Sequence, residues 1–103
     1  VTNDARALTD GRAMYAVLCH ESGGAVDDLL VYRRAEDDLL LVVNSSNIAK
    51  DWAHITAVAA GLGLDAEVTD ESDTTALLAL QGPRAFETFA RATGLDASDI
   101  PYY

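Results

Sequence analysis

This chain is poor in sulfur, proline and lysine. Its 103 residues hold one cysteine, one methionine, two prolines and a single lysine, Lys50. The lone Cys19 excludes an internal disulfide and leaves nothing from which to build a thiolate metal cluster, so no metal site is expected. It follows Val17-Leu18 in a strand-like run and reads as a buried structural thiol. Seven basic residues face 17 acidic ones, a formal charge of −10. With no basic stripe to neutralise phosphates, nucleic acid and anionic membrane surfaces are excluded as partners. No apolar run reaches the roughly 20 residues needed to span a bilayer. No signal or transit pattern heads the sequence, so the expected location is cytoplasmic. Internal repeats, low-complexity tracts and linkers are also missing. Half of the residues are hydrophobic, which excludes disorder and allows one small domain with a modest core.

What is present is a sequence of short elements. Val1 to Gly11 reads as irregular with one helical turn, closed by Asp10-Gly11. Arg12–Cys19, Val26–Arg34 and Leu39–Asn44 have strand character, the last two forming a hairpin across a polar turn at 34–38. Ser45-Ser46-Asn47 offers N-caps for a helix reaching about Gly61. On it Ile48, Trp52, Ile55, Ala59 and Leu62 make an apolar stripe, with Gly61 and Gly63 as the stop. Ala66–Val68 and Ala76–Gln81 read as two further short strands. Gly82-Pro83 then opens a second helix that buries Ala85, Phe86, Phe89 and Ala90 and stops at Gly94. Three strands, helix, two strands, helix is an α+β order, an antiparallel-dominated sheet covered by two helices.

The chemistry concentrates in Gly23-Gly24-Ala25-Val26-Asp27-Asp28-Leu29-Leu30-Val31-Tyr32-Arg33. Two carboxylates enter an otherwise apolar strand, and a carboxylate there is costly unless hydrogen-bonded or paired. Alternation places Val26, Asp28, Leu30 and Tyr32 on one face and Asp27, Leu29, Val31 and Arg33 on the other. In the partner strand Leu40, Val42 and Asn44 share a face, and Leu39, Leu41 and Val43 are core. The predicted register sets Arg34 opposite Asp38, Leu30 opposite Val42 and Asp28 opposite Asn44. Asp28, Tyr32 and Asn44 are then polar groups among aliphatics, which fits a small-ligand pocket and a half-exposed sheet face equally well. Asp27 reads as solvated or capping a loop, its replacement by Asn silent. His20 in a loop and His54 in mid-helix read as surface residues.

Five blocks add to this: Val1-Thr2-Asn3-Asp4; Gly11-Arg12-Ala13-Met14-Tyr15; the glycine–aspartate strand; Leu41-Val42-Val43-Asn44-Ser45-Ser46-Asn47 with Lys50-Asp51; and Leu78-Ala79-Leu80-Gln81-Gly82-Pro83. In order and spacing they resemble the T-protein of the glycine cleavage system, a tetrahydrofolate-dependent aminomethyltransferase. The resemblance implies that residues 1–103 are part of a folate-binding domain in a longer chain, including its ferredoxin-like portion. It implies that folate N5 attacks a methylene carried through nitrogen on the lipoyl arm of the H-protein, that ammonia leaves and that 5,10-methylenetetrahydrofolate forms. By the same resemblance Asp28 is the catalytic carboxylate facing the folate ring. Tyr15, Leu30, Tyr32, Val42 and Asn44 line the folate, and Tyr102-Tyr103 match an aromatic run that packs on it. The cations that hold the folate tail would lie outside this chain, which alone is expected to be inactive and to self-associate. Demethylases and dimethylglycine or sarcosine oxidoreductases with related folate domains are the nearest alternative, and a non-catalytic α+β interaction module is the other.

Overall fold

In the computed structural model, residues 1–63 and 65–100 are described. They form two compact units, Val1–Val68 and a second from Thr69 onward. The first contains three strands, β1 (Ala13–Cys19), β2 (Ala25–Ala35) and β3 (Asp38–Val42), followed by helix α1 (Ile48–Leu62). The second contains helix α2 (Ala85–Thr93). The fold class is α+β, as the element order predicts.

The strands form one antiparallel sheet in the order β1-β2-β3. Its alternation separates two faces. Ala16, Leu18, Leu29 and Val31 are buried on one of them, with Met14, Leu41, Val43 and Ile55 of α1 packed against them. Short 3-10 turns at Ala5–Ala7 and Ser45–Asn47 flank the sheet. The chain start runs beside β1: Thr2 N–H donates to the Val17 carbonyl (3.0 Å), and Asn3 Nδ2 donates to the Tyr15 carbonyl (2.6 Å). Gly23 closes the β1–β2 hairpin at φ 89°, a backbone state that glycine reaches without strain.

Two bulges modify the expected alternation. The β1–β2 pairing shifts between Leu18 and Cys19, so that Leu18 faces Asp27 and Cys19 faces Ala25. Val26 is thereby freed from its alternation and is buried with the core, although alternation alone places it on the Asp28 face. Its carbonyl accepts a hydrogen bond from Lys50 Nζ of α1. The second shift, between Arg33 and Ala35, puts Ala35 rather than Arg34 opposite Asp38. Arg34 still reaches Asp38 as an ion pair at 2.8 Å. Beyond the bulge the predicted register holds, with Leu30 opposite Val42. Leu39, expected in the core, is instead 48% exposed, next to the hairpin turn at the start of β3.

Helix α1 begins and ends near the predicted positions, with Gly63 in the left-handed state as its C-cap and Gly61 inside the helix. Of the expected N-cap candidates, Asn47 takes the N-cap position and makes no side-chain capping bond. The stripe is also shorter than read: Ile55 meets the core, Trp52 is half-buried and Leu62 is exposed. His20 and His54 are not independent surface groups, because their rings meet edge to face at 5.2 Å. Cys19, expected to be buried, is half-buried and free, because it ends β1 at the bulge.

Ala66–Val68 and Ala76–Gln81 do not form strands. An apolar run becomes a strand only where a neighbouring strand takes its backbone groups, and among the described residues neither segment has one. Leu77 and Leu78 are correspondingly exposed. In the second unit Leu80, Ala85, Phe86, Phe89 and Ala97 line an open apolar groove of about 170 Å³. Phe86, expected to be buried, stays largely exposed at its rim. Gly94 ends α2 in the left-handed state, as predicted. Among the described residues no helix is long and apolar enough to cross a membrane.

Candidate functional site

The sheet face opposite the core carries the polar cluster. Cross-strand pairing puts Tyr15, Leu30 and Val42 in one row, and Ala13, Tyr32 and Leu40 in a second. Val17 and Asp28 form a third row. Directly paired residues share a face, so Tyr15, Asp28, Leu30, Tyr32 and Val42 all lie on the same side. Asp28 and Tyr15 are exposed, whereas Leu30, Tyr32 and Val42 are half-buried.

Both oxygens of Asp28 are held. Tyr15 Oη donates to Oδ2 at 2.8 Å, and Asn44 Nδ2 donates to Oδ1 at 3.1 Å. The same Asn44 amide also donates to the Asp28 carbonyl (3.0 Å) and to Asp27 Oδ1 (3.2 Å). Asn44 lies past the end of β3, at the head of the Ser45–Asn47 turn. Its side chain bridges to β2 instead of capping that turn. All three of these partners are acceptors, which fixes the orientation of the amide. The expected facing of Asp28 and Asn44 is therefore present as direct hydrogen bonds. Tyr102 and Tyr103 lie outside the described residues.

Asp27 differs from the solvated residue that its sequence suggests. It is half-buried on the core side of β2, where Leu18 faces it and helix α1 covers the sheet. Burial pushes its carboxyl up. Hydrogen bonding with Asn47, Asp51, Asn44 and the Asp28 backbone N–H outweighs that and holds it down at about 2. Asp51, in the first turn of α1, is fully buried. Burial raises its carboxyl, with hydrogen bonding and charge from Asp27 acting in the same direction, against the opposing charges of Lys50 and His54. Lys50 Nζ stands 4.0 Å from Asp51 Oδ1.

Reading the sequence for a site missed Asp51, Asn47 and Lys50. Asp51 carried a usable signal, because it lies three residues after Ile48 and four before Ile55, within the apolar stripe itself. A carboxylate on a buried stripe needs a partner, and Asp27 was the available one. Among the described residues no group of three or more His, Cys, Asp or Glu could hold a metal ion.

Comparison with known proteins covers the full length of the chain. Residues 1–103 match the GCVT N-terminal domain. The chain is 47% identical over 103 residues to the aminomethyltransferase of Thermotoga neapolitana, covering all of this chain and 28% of that protein. It is 48% identical over 100 residues to the Bacillus subtilis aminomethyltransferase, covering 97% of this chain and 27% of that one. It is 51% identical over 96 residues to that of Thermus thermophilus, covering 93% and 27%. The chain thus spans little more than a quarter of the length of these relatives. A match across every residue, to relatives that share nearly half of its sequence, places this chain in the GCVT N-terminal domain family, that of the glycine cleavage T-proteins.

Proposed function

We propose that this chain forms part of the folate site of an aminomethyltransferase. That enzyme would move a one-carbon unit from the aminomethyl-lipoyl arm of an H-protein to tetrahydrofolate, releasing ammonia. The observation that carries this reading is Asp28, a carboxylate with each oxygen held by a different side chain on a face otherwise lined by Leu30, Tyr32 and Val42. The residues fit a reduced pterin, which combines N–H donors with flat apolar faces. A carboxylate has about four lone-pair positions, so Asp28 can accept from a ligand N–H while keeping its bonds to Tyr15 and Asn44. Leu30, Tyr32 and Val42 offer apolar contact and exclude water on one side.

Tetrahydrofolate, when bound, supplies the nitrogen nucleophile that takes up the one-carbon unit. Asp28 orients the ring, stabilises positive charge developing at the reacting nitrogen and accepts a proton at Oδ1 or Oδ2. Tyr15 and Asn44 keep the carboxylate from rotating, so little reorganisation is required as the reaction proceeds. The chain carries only seven basic residues against 17 acidic ones. The folate glutamate tail would therefore be held by cations outside these 103 residues. The names of the relatives favour aminomethyl transfer over the related demethylase and oxidoreductase chemistries.

Asp28→Asn in the complete natural polypeptide tests the assignment. The amide keeps the size and removes the charge and the proton acceptor. Turnover should fall on the order of a hundredfold or more, with a smaller change in folate binding. Turnover near that of the wild type would remove Asp28 from the chemistry.

A further inference from the structure

Behind the proposed folate face lies a second carboxyl group with no evident reason to be buried. Asp51 is 0% exposed, and neither of its oxygens has a well-aligned hydrogen-bond donor. Asp27 Oδ2 is likewise buried without one. The two carboxyl groups, one from β2 and one from α1, are within hydrogen-bonding reach of each other. The groups facing the pair are Asn44 and Asn47 from the turn before α1, and Lys50 and His54 from α1. His20, in the β1–β2 connection, meets His54 edge to face. Lys50 does not neutralise the pair closely, because its ammonium is bonded to the Val26 carbonyl and stands 4.0 Å from Asp51.

Two anionic carboxylates in contact, with three of their oxygens buried and without donors, are strongly unfavourable. One proton resolves this, because it turns Asp51 from an acceptor into a donor and supplies a partner for Asp27. We propose that Asp51 is a positioning residue whose carboxyl O–H donates to Asp27, and that Asp27 in turn holds the Asn44 amide against Asp28. The chain of contacts runs from helix α1 through β2 to the sheet face, Asp51 to Asp27 to Asn44 to Asp28. Asp27 and Asp28 point to opposite sides of one strand, and Asn44 ties them by donating to both. An ionised Asp51 would repel Asp27 and loosen the acceptor that orients Asn44. The consequence for turnover rests on the proposed function, whereas the proton shared within the pair does not.

The signs of the pH dependence follow from the two carboxyl groups. A group raised on folding stabilises the fold fully below its unfolded value, near 3.8 for Asp51. That contribution is lost as pH rises through the raised folded value. Asp27, lowered to about 2, contributes above 3.8 and loses its contribution as pH falls toward 2. Asp51→Asn keeps an N–H donor toward Asp27 and cannot titrate, whereas Asp51→Ala leaves Asp27 without the donor.

The test uses the complete natural polypeptide. Carboxyl carbon NMR should show Asp51 still protonated above the ordinary aspartate range. Asp51→Asn should abolish the loss of stability on the alkaline side and keep turnover within about threefold of wild type. Asp51→Ala should lower kcat ten- to a hundredfold through misplacement of Asp28, and Asp51→Asn should rescue it. An Asp51 that titrates as an ordinary carboxyl, or an Asp51→Asn variant as impaired as Asp51→Ala, would overturn the proposal. These outcomes are separable from failure of the folate assignment, which Asp28→Asn reports by itself.

Discussion

At the scale of single residues, two adjacent aspartates of one strand take unlike environments because strand periodicity turns them to opposite faces. Asp28 meets solvent and two donors, while Asp27 meets a helix. Asp27→Asn, silent by the sequence reading, is now expected to destabilise the fold, because an amide is a poorer acceptor for the Asn44, Asn47 and Asp51 groups around it. Thermal denaturation at neutral pH should show a larger loss for Asp27→Asn than for Asp37→Asn in the exposed β2–β3 turn. Equal losses would return Asp27 to the surface. Tyr15→Phe removes one of the two side-chain donors to Asp28. A hydrogen bond to a charged group is worth about 1.5–3 kcal/mol, and solvent at this exposed site favours the lower end. Turnover should therefore drop about tenfold, with a loss of stability no larger than about 1.5 kcal/mol. A loss confined to stability would make the contact structural.

At the scale of elements, β1, β2, β3 and both helices were legible from apolar periodicity and glycine stops. The bulges were not legible. A bulge adds one residue without altering composition, and it is read only from the pairing of two strands. The one at Val26 matters most, because it returns Val26 to the core and frees a carbonyl that Lys50 takes. Helix α1 supplies a simpler test. Its C-cap, Gly63, sits at φ 61° with open space where a Cβ would go. Gly63→Ala therefore brings backbone strain without a clash, and chemical denaturation should register a loss of about 1–2 kcal/mol. No loss would mean that α1 ends otherwise in solution.

At the scale of the whole molecule, charge and apolar surface oppose each other. The formal charge of −10 disfavours association. Leu77, Leu78, Phe86, Leu95 and Ile100 are all at least 60% exposed and belong to the second unit. Exposed apolar side chains in this number favour association. The 103-residue chain is accordingly expected to self-associate, and more strongly as salt screens the repulsion. Sedimentation at low and high salt reads this directly, and a monomer under both conditions would contradict it.

The sequence by itself determined the α+β class, the strand register from Leu30 opposite Val42, the extent of α1 and the facing of Asp28 with Asn44. Each follows from periodicity or from turn chemistry, which act over a few residues. Tertiary structure alone decided that Ala66–Val68 and Ala76–Gln81 are not strands, since a strand exists only with a neighbour to receive its hydrogen bonds. It also decided the partner of Asp27. Residues 27 and 51 are separated by the rest of β2, strand β3 and two turns, and only the packing of α1 onto the core face of the sheet brings their carboxyl groups together.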